Sequence, residues 1–192
     1  MNNTLEDTLA RLAAAELDRC MLKMTKVSPG AWQLGAVRAF TGTVREALSR
    51  KEYEAPHGAV IRVKIKGDPP FTTALLYNPD ETKHISGCFA DESFYGPFSA
   101  DQPEVTVIEI GNIVLNALAN ALLRAFVKTA VPSVPAYFKG SPAAIEEWLG
   151  AGRTVLTVVS AKFTMKREGR TASGELIAFL PAALAAEANP KK

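Results

Sequence analysis

Four side chains in the segment "IEIGNIVLNALANAL", Ile108 to Leu122, could do chemistry: Glu109, Asn112, Asn116 and Asn120. At about 100° per residue, with Glu109 at zero, Asn112 falls near 300°, Asn116 near 340° and Asn120 near 20°, so a helix would present all four on one narrow face. Asparagine is a poor helix former because its short amide competes for nearby backbone groups. A face that only meets water draws Lys, Glu, Arg and Gln, each better in a helix by roughly a few tenths of a kcal/mol. Three asparagines and no lysine point to short, fixed hydrogen-bonding groups, since each amide offers an acceptor and two donors. A solvated face, or amides bonded to a neighbouring element, are the other two readings of the pattern.

The element that positions the stripe is a helix over about 106–128. Its remaining directions hold Ile110, Val114, Ala117, Leu118, Ala121, Leu122 and Ala125, so it should be buried nearly all round. Upstream, Leu5 to Met24 repeats apolar residues at helical intervals until "SPG" at 28–30 stops it. Residues 31–43 read as extended, and the mixed stretch 44–54 is left without an assignment. "AVIRVKIKG" at 59–67 alternates as a half-buried strand does, "DPP" turns, "FTTALLY" returns, and "NPDETKHISGCF" opens a helix with proline and acids in its first turn. After "VPSVP" and a short helix "SPAAIEEWL", "TVLTVVSAKFTM" meets "TASGELIAFLP" across the tip "KREGR".

The pattern therefore runs twice. Pro29 to Pro79 spans 50 residues and Pro132 to Pro181 spans 49, an offset of 102 to 103 between halves. The expected architecture is α+β: two pseudo-repeated halves sharing one mainly antiparallel sheet with long helices packed on it. Residues 1–192 form a single domain, with 1–89 a degenerate first half-repeat, 90–104 a connector and 105–192 the second half-repeat. Glu109 has an acidic counterpart in Glu6 or Asp7, but Asn112 maps onto Leu9 or Ala10, so the stripe belongs to the second half alone.

Composition narrows the function classes. With 47% hydrophobic residues in 192, the chain can bury a proper core, and a net charge of +2 from interspersed acids and bases gives no field for a nucleic-acid backbone. No stretch reaches the roughly 20 unbroken apolar residues of a membrane span, and the N-terminus lacks a basic start followed by an apolar block. A cytoplasmic protein with neither nucleic acid nor membrane as partner is expected. Cys20 and Cys88 read as buried reduced thiols.

"EIGNI" at 109–113, with Pro135 placed 23 residues after Asn112, resembles the Glu-x-x-Asn signature of the CheC/CheX/FliY family of phosphatases acting on the chemotaxis response regulator CheY. The resemblance is closest to CheC and covers most of the chain, including "GDPPFTTALLYNPDETKHISGCF" and "SAKFTMKREGRTASGELIAFLP". It implies a CheC-like fold and hydrolysis of an aspartyl phosphate on a receiver domain. On that reading Asn112 orients the attacking water, Glu109 pairs with the receiver's lysine, and Asn116 and Asn120 extend the docking face. The chain needs no cofactor of its own, because Mg²⁺ sits on the partner receiver. A CheY-like response regulator is the implied partner; a CheD-like modulator and a homodimer are compatible with the same resemblance. Two departures stand out: family members often carry the motif in both halves, and often have Asp or Ser where this chain has Val105, with Thr106 one step on. The competing class is a non-catalytic adaptor like the family's flagellar-switch relatives.

Other signals are weaker. His84 and Cys88, four apart, are two ligands without a third, so no metal site is expected. "KREGR" reads as a solvated hairpin tip, and Trp32 and Trp148 as packing residues.

Overall fold

The computed structural model describes residues 4–50, 58–90, 102–150, 152 and 154–186. The connector expected at 90–104 lies mostly outside the described residues, as does the end of the unassigned stretch 44–54.

The first helix, α1 (Leu5–Val27), starts at a capping box in which Thr4 and Asp7 bond each other's backbone, and turns Leu9, Ala13, Leu17, Met21 and Met24 inward. β1 (Ala31–Gly42) follows, with a register irregularity between Leu34 and Val37. Val44 to Ser49 then form a short helix, α2, opened by a second capping box, Thr43 with Glu46. The hairpin β2 (Gly58–Lys66) and β3 (Phe71–Tyr77) turns at "DPP" as expected, and a 3₁₀ turn at Pro79–Glu81 leads into α3 (Thr82–Phe89).

From residue 103 the order repeats. α4 (Pro103–Ala125) carries the stripe; it is followed by β4 (Val131–Pro132), β5 (Ala136–Gly140), α5 (Pro142–Leu149), β6 (Leu156–Arg167), β7 (Arg170–Leu180) and α6 (Ala182–Ala186). Strand β5 escaped the sequence reading, because "AYFKG" is short and follows two prolines. The tip between β6 and β7 is the two-residue turn Glu168–Gly169, both at positive φ, which is the backbone a tight hairpin requires.

Among the described residues, seven strands make one sheet in the order β1-β6-β7-β3-β2-β4, with β5 also on β2, and each of these pairings is antiparallel. The two hairpins meet at β3–β7 in the centre. Each half lends an outer strand to the other half's hairpin: β1 lies on β6, and β4 and β5 lie on β2. Helices α1, α3 and α4 cover one face over the main core, which includes Leu17, Ile61, Tyr77, Ile110, Leu118 and Phe163. Helices α2 and α5 cover the other, over Val44, Leu48, Val60, Leu76, Ile145 and Phe179.

α4 has the length and mean hydropathy, 1.5 over its most apolar window, of a candidate membrane span, although half of that window is buried inside the protein. Its apolar residues serve as the central core helix.

Candidate functional site

Pro103 occupies the first turn of α4, where its missing N–H costs nothing, and Glu104 and Arg124 lie at the ends whose partial charges they complement. Gln102 holds the N-cap position without a side-chain cap bond, so neither Val105 nor Thr106 caps the helix. Thr106 is buried, and Val105 is half exposed at 51%.

Val107, Ile110, Val114, Leu115, Leu118 and Leu122 are fully buried. This anchors the helix and dictates which side remains. Gly111, inside the motif, costs roughly 0.5–1 kcal/mol in a helix relative to alanine. Its reason is packing: a Cβ there would lie 2.9 Å from Ile61 Cδ1 and 3.0 Å from Cγ2, so only glycine lets α4 settle this closely on β2. Ile61 is in turn the register partner of Tyr137 on β5, two residues after Pro135. The motif turn and the segment carrying Pro135 are thus both braced by β2.

The stripe faces outward. Glu109 and Asn120 are exposed, Asn112 and Asn116 are half-buried, and Val105 and Ile113 add apolar surface on the same side. Among the described residues Glu109 makes no ion pair. Asn112 does not stand alone: Asn116 Nδ2 donates a hydrogen bond of 2.9 Å to Asn112 Oδ1. Amides bonded to a neighbouring element were one alternative for the stripe; the bond observed is within the helix, at the i,i+4 spacing already visible in the sequence.

Beside the first turn of α4 lies a phenol cluster that the sequence did not signal. Tyr137 Oη donates to Glu104 Oε1 at 3.5 Å, tying β5 to the helix start. Tyr77 is fully buried, and among the described residues its hydroxyl has no hydrogen-bond partner, although Thr82 and Tyr137 lie close. Burial pushes the Tyr77 phenol far above its ordinary pKa and raises Tyr137 as well, so both are neutral donors at physiological pH.

The residues set aside have structural surroundings. Trp32 stacks on Phe163 and donates from Nε1 to Ser28 Oγ at 2.8 Å. Trp148 stacks on Phe138 and carries the Arg62 guanidinium 3.8 Å above its ring. His84 Nε2 lies 3.7 Å from Cys88 Sγ, and among the described residues no group of three His, Cys, Asp or Glu could hold a metal ion. Cys20 and Cys88 are free thiols.

No protein-family model matches the chain, and no curated protein matches it significantly. Solved structures do match in fold. FliY from Thermotoga maritima superposes with a TM-score of 0.60 at 13% identity, covering 97% of this chain and 96% of that one. FliM in the FliM–SpeE complex from H. pylori gives 0.60 at 14% identity, covering 93% of each chain. The chemotaxis protein CheX from Vibrio vulnificus gives 0.50 at 13% identity, covering 88% of this chain and 98% of that one. The chain shares the fold of these FliY, FliM and CheX structures: a mainly antiparallel seven-stranded sheet with helices packed on it.

Proposed function

We propose that this protein is a cytoplasmic phosphatase that removes the phosphoryl group from the aspartyl phosphate of a CheY-like receiver domain in chemotaxis signalling. One observation carries the reading: an outward-facing Glu109, without an ion pair among the described residues, stands one helical turn from Asn112 on a rod whose other sides are locked in the core. The likeness to FliY and CheX folds supports it.

The receiver presents its own phosphorylated aspartate, Mg²⁺ and lysine as parts of the substrate. Phosphoryl transfer passes through a loose transition state, so holding a water in line, about 3 to 3.5 Å from phosphorus, matters more than a strong base. The water oxygen bonds to phosphorus as the bond to the aspartyl oxygen breaks; the aspartate leaves as carboxylate, and the water's proton ends on the phosphate. Asn112 aligns the water, with Oδ1 accepting one of its hydrogens and Nδ2 donating to an oxygen nearby. Glu109 pairs with the receiver's lysine and sets the register of the two proteins. Asn120 and the flanking Val105 and Ile113 complete the docking face.

Asn112→Ala should lower turnover of a phosphorylated receiver by roughly 100-fold. It should leave the thermal unfolding transition within about 1 kcal/mol of wild type, because the side chain is only half-buried. A receiver labelled with acetyl phosphate, mixed with substoichiometric protein, provides the assay. Wild-type turnover by the variant sinks the assignment. Because FliM matches the fold as well as FliY does, an adaptor that only binds receivers is the second reading, and binding without turnover by the wild-type protein would establish it.

A further inference from the structure

We infer that Asn116 is the positioning residue that sets which end of the Asn112 amide meets the reacting water. The inference rests on the phosphatase reading and extends it to a third residue. A carboxamide has nearly isosteric oxygen and nitrogen ends, and half a turn about its last torsion exchanges them. For a water that must donate to an acceptor and keep its own lone pair toward phosphorus, the two settings are opposite: one helps, the other presents an N–H where an acceptor is needed.

In this structure Asn116 selects the setting. Side chains on a helix lean toward its N-terminus, so Asn116 reaches back over the turn that carries Asn112. Its Nδ2 donates to Asn112 Oδ1 at 2.9 Å. Both residues are half-buried, so the bond is partly shielded from competing water. The bond uses one lone pair of Oδ1. The second lone pair remains for the water, and both Nδ2 hydrogens of Asn112 remain for neighbouring oxygens. Asn120, a turn further on, is exposed and has no such bond among the described residues, which separates its role from that of Asn116.

The test combines kinetics and side-chain NMR on the whole protein. With phosphorylated receiver as the varied substrate, Asn116→Ala should lower kcat by up to about twofold, because losing a bias of roughly 3- to 10-fold leaves the two settings about equally populated, with KM unchanged. Asn116→Asp, an acceptor only, should reverse the bias by drawing Asn112 Nδ2 toward itself and lower kcat roughly 3- to 10-fold. Asn116→Gln keeps a donor and should recover most of kcat. In the free protein, one Asn116 Nδ2 proton should resonate at a hydrogen-bonded position and move to a free-amide position in Asn112→Ala. A loss in Asn116→Asp that appears only in KM would make the residue a docking contact and overturn the inference, as would an Asn116 amide signal indifferent to Asn112→Ala. Asn116→Asp at the wild-type rate beside an inactive Asn112→Ala overturns this inference alone. A wild-type protein without turnover overturns the phosphatase reading and this inference with it.

Discussion

Tyr77 and the asparagine stripe illustrate how differently single side chains declare themselves. Glu109, Asn112, Asn116 and Asn120 are visible because a polar residue recurring at helical spacing in an apolar segment breaks a pattern. Tyr77 breaks none: at the end of "FTTALLY" it reads as an ordinary strand aromatic, and only burial leaves its hydroxyl without a partner among the described residues. An unsatisfied buried hydroxyl costs about 1–3 kcal/mol, so Tyr77→Phe should raise the urea midpoint at pH 8 by an amount equivalent to about 1 kcal/mol. The pH dependence has a definite sign. Because burial raises the folded-state pKa of Tyr77, the unfolded chain loses the proton first, above about pH 10. Stability from the neutral phenol is therefore complete below that pH and declines above it, and Tyr77→Phe should gain more over wild type at pH 11 than at pH 8. A lower midpoint for Tyr77→Phe at pH 8 would mean that the hydroxyl is bonded after all, to Thr82 or Tyr137.

Among the elements, α4 is the one on which function depends, and its ends and its glycine were only partly legible. The stripe and its apolar flanks read correctly as a long helix, but the boundaries moved from about 106–128 to 103–125. Pro103 starts the helix earlier because proline is suited to a first turn. The far end closes in a Schellman arrangement, Lys128 N–H to Leu123 O at 2.9 Å and Val127 N–H to Arg124 O at 3.2 Å. That geometry places Val127 at φ 53°, where glycine is usual and a β-branched residue is strained, so no glycine marked the stop. Val127 is 80% exposed and loses little packing if truncated. Val127→Gly should therefore stabilise the protein by about 1 kcal/mol, measurable as a rise in the denaturation midpoint. An unchanged or lowered midpoint would show that the left-handed residue carries no strain. Gly111 teaches the converse: sequence shows only a helix-weakening residue, and the contact with Ile61 supplies the reason.

Taken whole, the molecule ties its two halves through exchanged strands. β1 from the first half pairs with β6 from the second, β4 and β5 from the second pair with β2 from the first, and β3 and β7 join at the centre. Neither half could keep its hairpin covered alone, because the outer strand of each belongs to the other. The protein should accordingly unfold in one cooperative transition, with the calorimetric and van't Hoff enthalpies equal and far-ultraviolet dichroism and tryptophan fluorescence changing together. A fragment of residues 1–90 should lack cooperative unfolding. Two resolved transitions, or a folded fragment, would show that the halves are independent.

Periodicities of 3.6 and 2 are local, so the amino-acid order by itself determined the long helices, both hairpins, the α+β class and the single polar face of α4. Short or irregular pieces stayed ambiguous. Val44 to Ser49 is too brief to establish a period and is held by its capping box and its burial against the second face, and β5 exists because β2 offers it an edge. Only tertiary packing decided that the Glu109 face points to solvent, that glycine is needed against Ile61, and that the Tyr77 hydroxyl is buried. Those properties depend on groups distant in sequence that meet only when one sheet closes over both halves, and no local pattern records them.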